Sequence, residues 1–274
     1  MKYMTFNSSC SYAGIANMLE LNGIDTSDRD IALAMKLPYL FDYSGGVYLS
    51  GPMLQSAEWF DLYLNPIGYR LRETLVHADE LIDYLKLQKT AMLGIKFEDA
   101  GKHAVVYIGM ESDLFIFLNN KWEKENSVSE IRLTEADLKK RIELEVMVAT
   151  LQKISPREID FTEKLKSSEN VLHANLADII ELSNRQESVA DLRMKLNKLF
   201  RPLFLDGITM LNMIGETSLA QSFTQLQQEL LSALKNNPSD CIFLKDYISL
   251  SNLQKSVRVY IELIEHELLS RKDR

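Results

Sequence analysis

The chain of 274 residues is 46% apolar and 26% charged, a globular composition that argues against long disorder. Its 31 Lys and Arg against 39 Asp and Glu leave a formal charge of −8, and with no basic block this disfavours nucleic-acid and anionic-membrane binding. No run approaches the roughly 18 apolar residues of a spanning helix, and the start turns polar at Asn7-Ser8-Ser9, so a soluble cytoplasmic protein is expected.

The first part of the chain mixes helical and strand patterns. A helix is expected over 11–22, with Gly23 placed for a left-handed C′ residue. A second is expected over 25–36, where Ser27 and Asp30 have capping-box spacing. Gly45-Gly46 reads as a loop, and Gly51-Pro52 as the start of a third helix running to about residue 64. A strand over 69–75 and a helix over 78–88 follow.

The period then changes to two. Strands are expected over 91–96, 103–110, 114–119 and 143–151, with hairpin turns at Asp99-Ala100-Gly101 and Glu111-Ser112-Asp113. The composition changes again at Ser155-Pro156, because the residue before a proline leaves the helical region. Helices are expected over 159–183, 186–204, 207–235 and 240–271, with Pro202 ending or kinking the second. The fold class expected is therefore α+β over 1–153, followed by an all-α bundle or cap over 154–274.

Only two cysteines occur, Cys10 and Cys241, too few for a disulfide framework or a cysteine-based zinc site. Cys241 lies among helical apolar residues and reads as an inert buried thiol. His77, His173 and His266 have no metal-ligand spacing, so neither a metal nor a cofactor is expected.

Cys10 stands at the first turn of the first helix. The helix dipole and the unpaired N–H groups there favour a thiolate and can form part of an oxyanion hole. Taken alone, a free cysteine is most often a small core residue. His103 opens a strand, and Asn119 and Asn120 close the next one. A hairpin between the two strands brings Asn119 beside His103, where its oxygen could accept the ring N–H. Taken alone, two asparagines after a strand are turn residues.

The order nucleophile, histidine, orienting polar residue resembles the papain-like cysteine peptidase superfamily, in particular its bacterial C39-peptidase-like branch. The resemblance rests on Asn7-Ser8-Ser9-Cys10-Ser11-Tyr12-Ala13-Gly14, Gly101-Lys102-His103-Ala104-Val105-Val106 and Phe117-Leu118-Asn119-Asn120. The first part is similar also to the acyltransferases of the butirosin biosynthesis protein H family, which have this fold and a helical C-terminal region. The resemblance implies Cys10 as nucleophile, His103 as general base and acid, and Asn119 as orienter. Two positions depart from the family pattern. Met4 stands where an oxyanion-hole glutamine is usual, and Ser11 replaces the glycine often found after the cysteine. Asn7 is a candidate substitute donor; Asn120, Tyr12, Tyr48 and Trp122 are candidate oxyanion or pocket residues.

With Met4 in that place, acyl transfer or amide or thioester cleavage is favoured over general proteolysis. The substrate expected is a small acyl compound or peptide, free or bound to a carrier protein. The alternatives are a peptidase that processes a peptide and an inactive papain-like binding or scaffold module. A homodimer through the helical part is a further expectation.

Overall fold

The computed structural model describes every residue except 8, 99–100, 121–128, 238–240 and 271–274. The chain divides into two compact units, Met1–Met35 with Gln55–Ile159 and Lys36–Leu54 with Asp160–Arg274. The second unit thus takes a segment from the first quarter of the chain, which a single boundary at residue 153 leaves elsewhere. That segment is a β-hairpin of β1 (Phe41–Ser44) and β2 (Val47–Ser50). Gly45 and Gly46, expected as a loop, form its turn with φ of +60° and +77°. Two consecutive positive φ values are what a tight two-residue hairpin turn requires, and glycine reaches them without steric cost.

The first unit contains helices α1 (Cys10–Glu20), α2 (Asp28–Ala34), α3 (Ala57–Leu64), α4 (Leu81–Lys86) and α5 (Glu135–Arg141). Its sheet is built from β3 (Tyr69–His77), β4 (Ala91–Phe97), β5 (Gly101–Glu111), β6 (Leu114–Asn119), β7 (Glu130–Leu133) and β8 (Glu145–Lys153). The strand order is β3-β8-β4-β5-β6-β7, with every neighbour antiparallel, which is α+β architecture. One sheet face, with Leu93, Ile95, Val105, Phe117 and Val148, buries its side chains against Leu81, Ile82 and Leu85 of α4 and Leu138 of α5.

Several local expectations are met for the expected reasons. Gly23 has φ +82°, and Ile24 N–H donates to Leu19 O at 3.0 Å as α1 ends. Ser27 and Asp30 form a reciprocal capping box on α2. Ser112 and Asp113 make the β5–β6 turn, both at positive φ. The turn expected at Asp99-Ala100-Gly101 lies partly outside the described residues. The third helix begins at Ala57, not at Pro52, because Gly51–Met53 closes as a single 3-10 turn first.

The second unit contains α6 (Thr162–Ser183), α7 (Val189–Lys195), α8 (Ile208–Met213), α9 (Thr217–Asn236) and α10 (Leu250–Leu269). The all-α character expected over 154–274 is corrected by an antiparallel pair within that range, β9 (Gln186–Ser188) with β10 (Cys241–Phe243). Strands of three residues are too short to carry a period-two signature, and they occupy the starts of segments expected as helices. Cys241, expected as a buried thiol, is exposed on β10.

Between α7 and α8 the chain runs as π-helix over Leu196–Phe200 and Pro202–Gly207. Pro202 lacks an N–H and disturbs the ordinary ladder. The β1–β2 hairpin is tied to the helices by Phe41 N–H donating to Ser168 Oγ at 2.8 Å. The ring of Phe41 meets that of Tyr260 edge-on, and Tyr260 donates its hydroxyl to Pro38 O at 2.8 Å. Among the described residues no helix is long and apolar enough to cross a membrane.

Candidate functional site

Cys10 is the first residue of α1 and is half-buried, with a free thiol. The helix starts here because Ser9 precedes it as N-cap, but Ser9 does not cap through its side chain. Its hydroxyl lies 2.6 Å from Phe6 O and 3.0 Å from Asp28 Oδ2, both acceptors. The first N–H groups of α1 are therefore left uncapped by the residue that usually takes one of them.

Asp28 is fully buried and organises the approach to Cys10. Thr5 donates its N–H to Oδ2 at 2.7 Å and its hydroxyl to Oδ1 at 2.9 Å. Burial raises the pKa of this carboxyl, and the hydrogen bonds from Thr5 and Ser9 oppose the rise.

Helix α1 packs on β5 and β4. Gly14 makes the approach close, since a Cβ there would meet Asn120 Nδ2 at 2.8 Å and clash with Met92 Sδ. Cys10, Gly14 and Asn17 fall at helical positions i, i+4 and i+7 and so share this face. Asn17, fully buried, accepts the N–H of Lys2 at 2.7 Å and donates to Lys2 O at 3.1 Å and Asn120 Oδ1 at 3.0 Å. Asn120 in turn donates to Ala104 O at 3.0 Å. This chain of amides ties the helix of Cys10 to the residue after His103.

His103 lies near the start of β5, opposite Ile95, with its ring edge-on to Phe97. Its Nδ1 is 3.4 Å from Ala104 O. A carbonyl only accepts, so this contact is a hydrogen bond when Nδ1 carries the proton. Asn119 pairs with Val105, two residues beyond His103. By strand alternation His103, Val105 and Asn119 share one sheet face, with Asn119 diagonal to His103. The same alternation puts Ala104 and Asn120 on the opposite face, where α1 lies. Asn119 is 2% exposed, and among the described residues its buried Oδ1 has no hydrogen-bond partner. An acceptor left so costs roughly 1–3 kcal/mol.

The other sequence candidates separate. Asn7 is exposed in the turn before α1. Tyr12, expected to line a pocket, is instead core: it is fully buried against Phe6 and Phe60, and burial pushes its phenol well up. Asn120, expected as an oxyanion or pocket residue, is fully buried and spends its amide on Asn17 and Ala104. Tyr48 belongs to the second unit, where its hydroxyl donates to Asp178 at 2.6 Å. Trp122 lies outside the described residues. Met4 is buried at 8% exposure and carries no side-chain amide.

Sequence reasoning missed Asn17, Asp28 and Gln55. Ser11 Oγ donates to Gln55 Oε1 at 3.2 Å, which brings an amide next to the residue after Cys10. Among the described residues no cluster of His, Cys, Asp and Glu has the arrangement of a metal site.

No protein-family model matches the chain, and no curated protein matches it. Among solved structures, the peptidase domain of Streptococcus ComA, a bi-functional ABC transporter involved in a quorum sensing pathway, is similar. The similarity covers 57% of this chain and 96% of that one, at 15% identity and a TM-score of 0.40. A likeness of that size decides neither fold nor activity.

Proposed function

We propose that the first unit is a cysteine-dependent acyl-group enzyme with Cys10 as nucleophile, His103 as general base and acid, and Asn119 as orienter. Its substrate is a small acyl thioester or amide, free or carried on a protein. The observation that carries this reading is the buried, unpartnered Oδ1 of Asn119 on the sheet face of His103. A fold retains such a cost where a functional partner repays it.

In the reacting arrangement the His103 ring turns about the start of β5 toward the N-terminus of α1. The long contact to Ala104 O is given up, and a ring N–H donates to Asn119 Oδ1. The second ring nitrogen takes the Cys10 thiol proton while Sγ attacks the acyl carbonyl. The tetrahedral oxyanion faces the uncapped N-terminus of α1. It collapses with departure of the thiol or amine, which receives the proton from His103. The acyl-cysteine then passes its acyl group to an amine or to water, with His103 as base. Catalytic hydrogen bonds are commonly long before substrate binds and shorten in the complex.

One observation favours the second reading, an inactive binding module. The body of α1 packs on the Met92 and Asn120 face, opposite that of His103 and Asn119. The rate of Cys10 alkylation by iodoacetamide between pH 5 and pH 9 separates the two. An activated thiol whose alkylation at neutral pH slows at least tenfold in His103→Ala supports the enzyme. A rate indifferent to His103 supports the binding module. A Cys241→Ser background removes the exposed second thiol from the signal.

A further inference from the structure

At the end of α1 away from Cys10, the first unit has a groove of about 400 Å³ between the start of β3, the end of β8 and the residues that enter β4. Small-molecule sites commonly have about 300–1,000 Å³. Asn22, just past α1, lines the groove, so it lies about 18 Å along the helix axis from the thiol. Arg72, Lys89 and Lys153 line it too, all three exposed, and no carboxylate does. The chain as a whole carries a formal charge of −8, so this cluster runs against its surroundings.

Among the described residues none of these three side chains has an ion-pair partner. The carboxylates closest in sequence are committed elsewhere. Glu20 holds the N-terminal ammonium and Lys2. Asp61 accepts the N–H of Leu71 at 2.8 Å, and Glu73 accepts that of Ala57 at 3.4 Å. The cations do not cap α1 either, because its last carbonyls are taken. Met18 O accepts from Asn22 Nδ2 at 2.8 Å, and Leu19 O and Glu20 O accept the N–H groups of Ile24 and Gly23, each at 3.0 Å. Three like charges around one groove repel one another, and a bound anion turns that repulsion into attraction.

We propose that this groove binds the di- or triphosphate group of a small molecule. A single phosphoryl group carries a charge of about −1.5 to −2 at neutral pH, too little to match three cations, whereas two or three linked phosphates match them. The guanidinium of Arg72 presents a fork for two oxygens of one phosphate, and Lys89 and Lys153 act as point charges on the others. The half-buried hydroxyls of Thr90 and Thr150 line the same groove and can donate to phosphate oxygens. The site is separate from Cys10 and does not depend on the acyl-enzyme reading.

The test is calorimetric titration of the full chain with pyrophosphate, tripolyphosphate and orthophosphate at fixed, low salt. Saturable binding of one tripolyphosphate per chain is expected, with orthophosphate weaker by tenfold or more. Arg72→Gln, Lys89→Gln and Lys153→Gln are each expected to weaken binding about 2- to 5-fold, as for exposed charge pairs, and the triple variant to abolish saturation. All three side chains are exposed, so the urea midpoint of each variant is expected at the parent value. A second triple variant, Lys139→Gln with Lys140→Gln and Lys166→Gln, has the same net charge with the groove intact, and it is expected to bind as the parent does. Cys10→Ala is also expected to bind as the parent does. No saturable binding by the parent overturns the proposal, as does equal weakening in the two triple variants, which assigns the effect to overall charge. Orthophosphate as tight as tripolyphosphate overturns it as well. Tighter binding of a single-stranded oligonucleotide through the same three residues overturns it in favour of a nucleic-acid surface.

Discussion

Asn17 Nδ2 donates to Asn120 Oδ1 at 3.0 Å across 103 positions of sequence, and through it the helix that begins at Cys10 is joined to the strand that carries His103. Both side chains are buried, so each amide left without its partner costs its full desolvation. Asn120→Ala leaves Asn17 Nδ2 and Ala104 O without that partner. The expected loss is about 2–4 kcal/mol of unfolding free energy, measured by urea denaturation.

Asn119→Ala is predicted to behave in the opposite way. It removes a buried acceptor that has no partner, so stability is expected to stay level or rise by up to about 1 kcal/mol. Acyl turnover is expected to fall roughly 10²-fold, because in the proposed mechanism Asn119 orients the His103 ring. Urea denaturation and a turnover assay on the same preparation check both signs. A large loss of stability would show that Asn119 is a structural residue.

Gly14→Ala probes the closeness of α1 to the sheet. A helical alanine is ordinarily better than glycine by roughly 0.5–1 kcal/mol, but here its Cβ meets Asn120 Nδ2 at 2.8 Å and the Met92 sulfur. A net destabilisation of about 1–3 kcal/mol is expected. Pairing it with Met92→Ala is expected to cost less than the sum of the two single changes, as a double-mutant cycle would show.

The buried carboxyl of Asp28 gives a pH signature. Burial raises its pKa in the fold above the ordinary carboxyl value of 3.8, so the folded chain holds a proton that the unfolded chain releases. Between 3.8 and the folded pKa the native state binds more protons, and the contribution of Asp28 to stability falls as pH rises. Below 3.8 that contribution is complete. The stability difference between the parent and Asp28→Asn is expected to shrink with rising pH across this window. Urea midpoints from pH 3.5 to 6.5 test it, and a difference that grows with pH would contradict it.

The strands of the first unit were legible where the pattern is long. β4, β5 and β6 alternate or run apolar over six residues or more, and Ser112 and Asp113 mark their turn. The short elements were not. β1 and β2 have four residues each, and Gly45-Gly46 between them reads equally as a loop until the pairing is seen. β9 and β10 have three residues each and sit at the edges of helical patterns, so Cys241 reads as helical and buried although it is exposed on β10.

The site divides in the same manner. That Cys10, His103 and Asn119 stand at or near element ends follows from local pattern. Asn17, Asp28 and Gln55 act through partners 15 to 103 positions away, for which no local spacing exists. A capping-box reading of α2 places Asp28 in a first turn, but not in the buried pocket beneath Thr5 and Ser9.

The most direct measurement is intact-protein mass after brief exposure to an N-acylcysteamine thioester at neutral pH, in the Cys241→Ser background. A single acyl adduct is expected, mapped to Cys10 by peptide digestion, absent in Cys10→Ala and strongly slowed in His103→Ala. A chain that gains no adduct, or gains one at the same rate without His103, would contradict it.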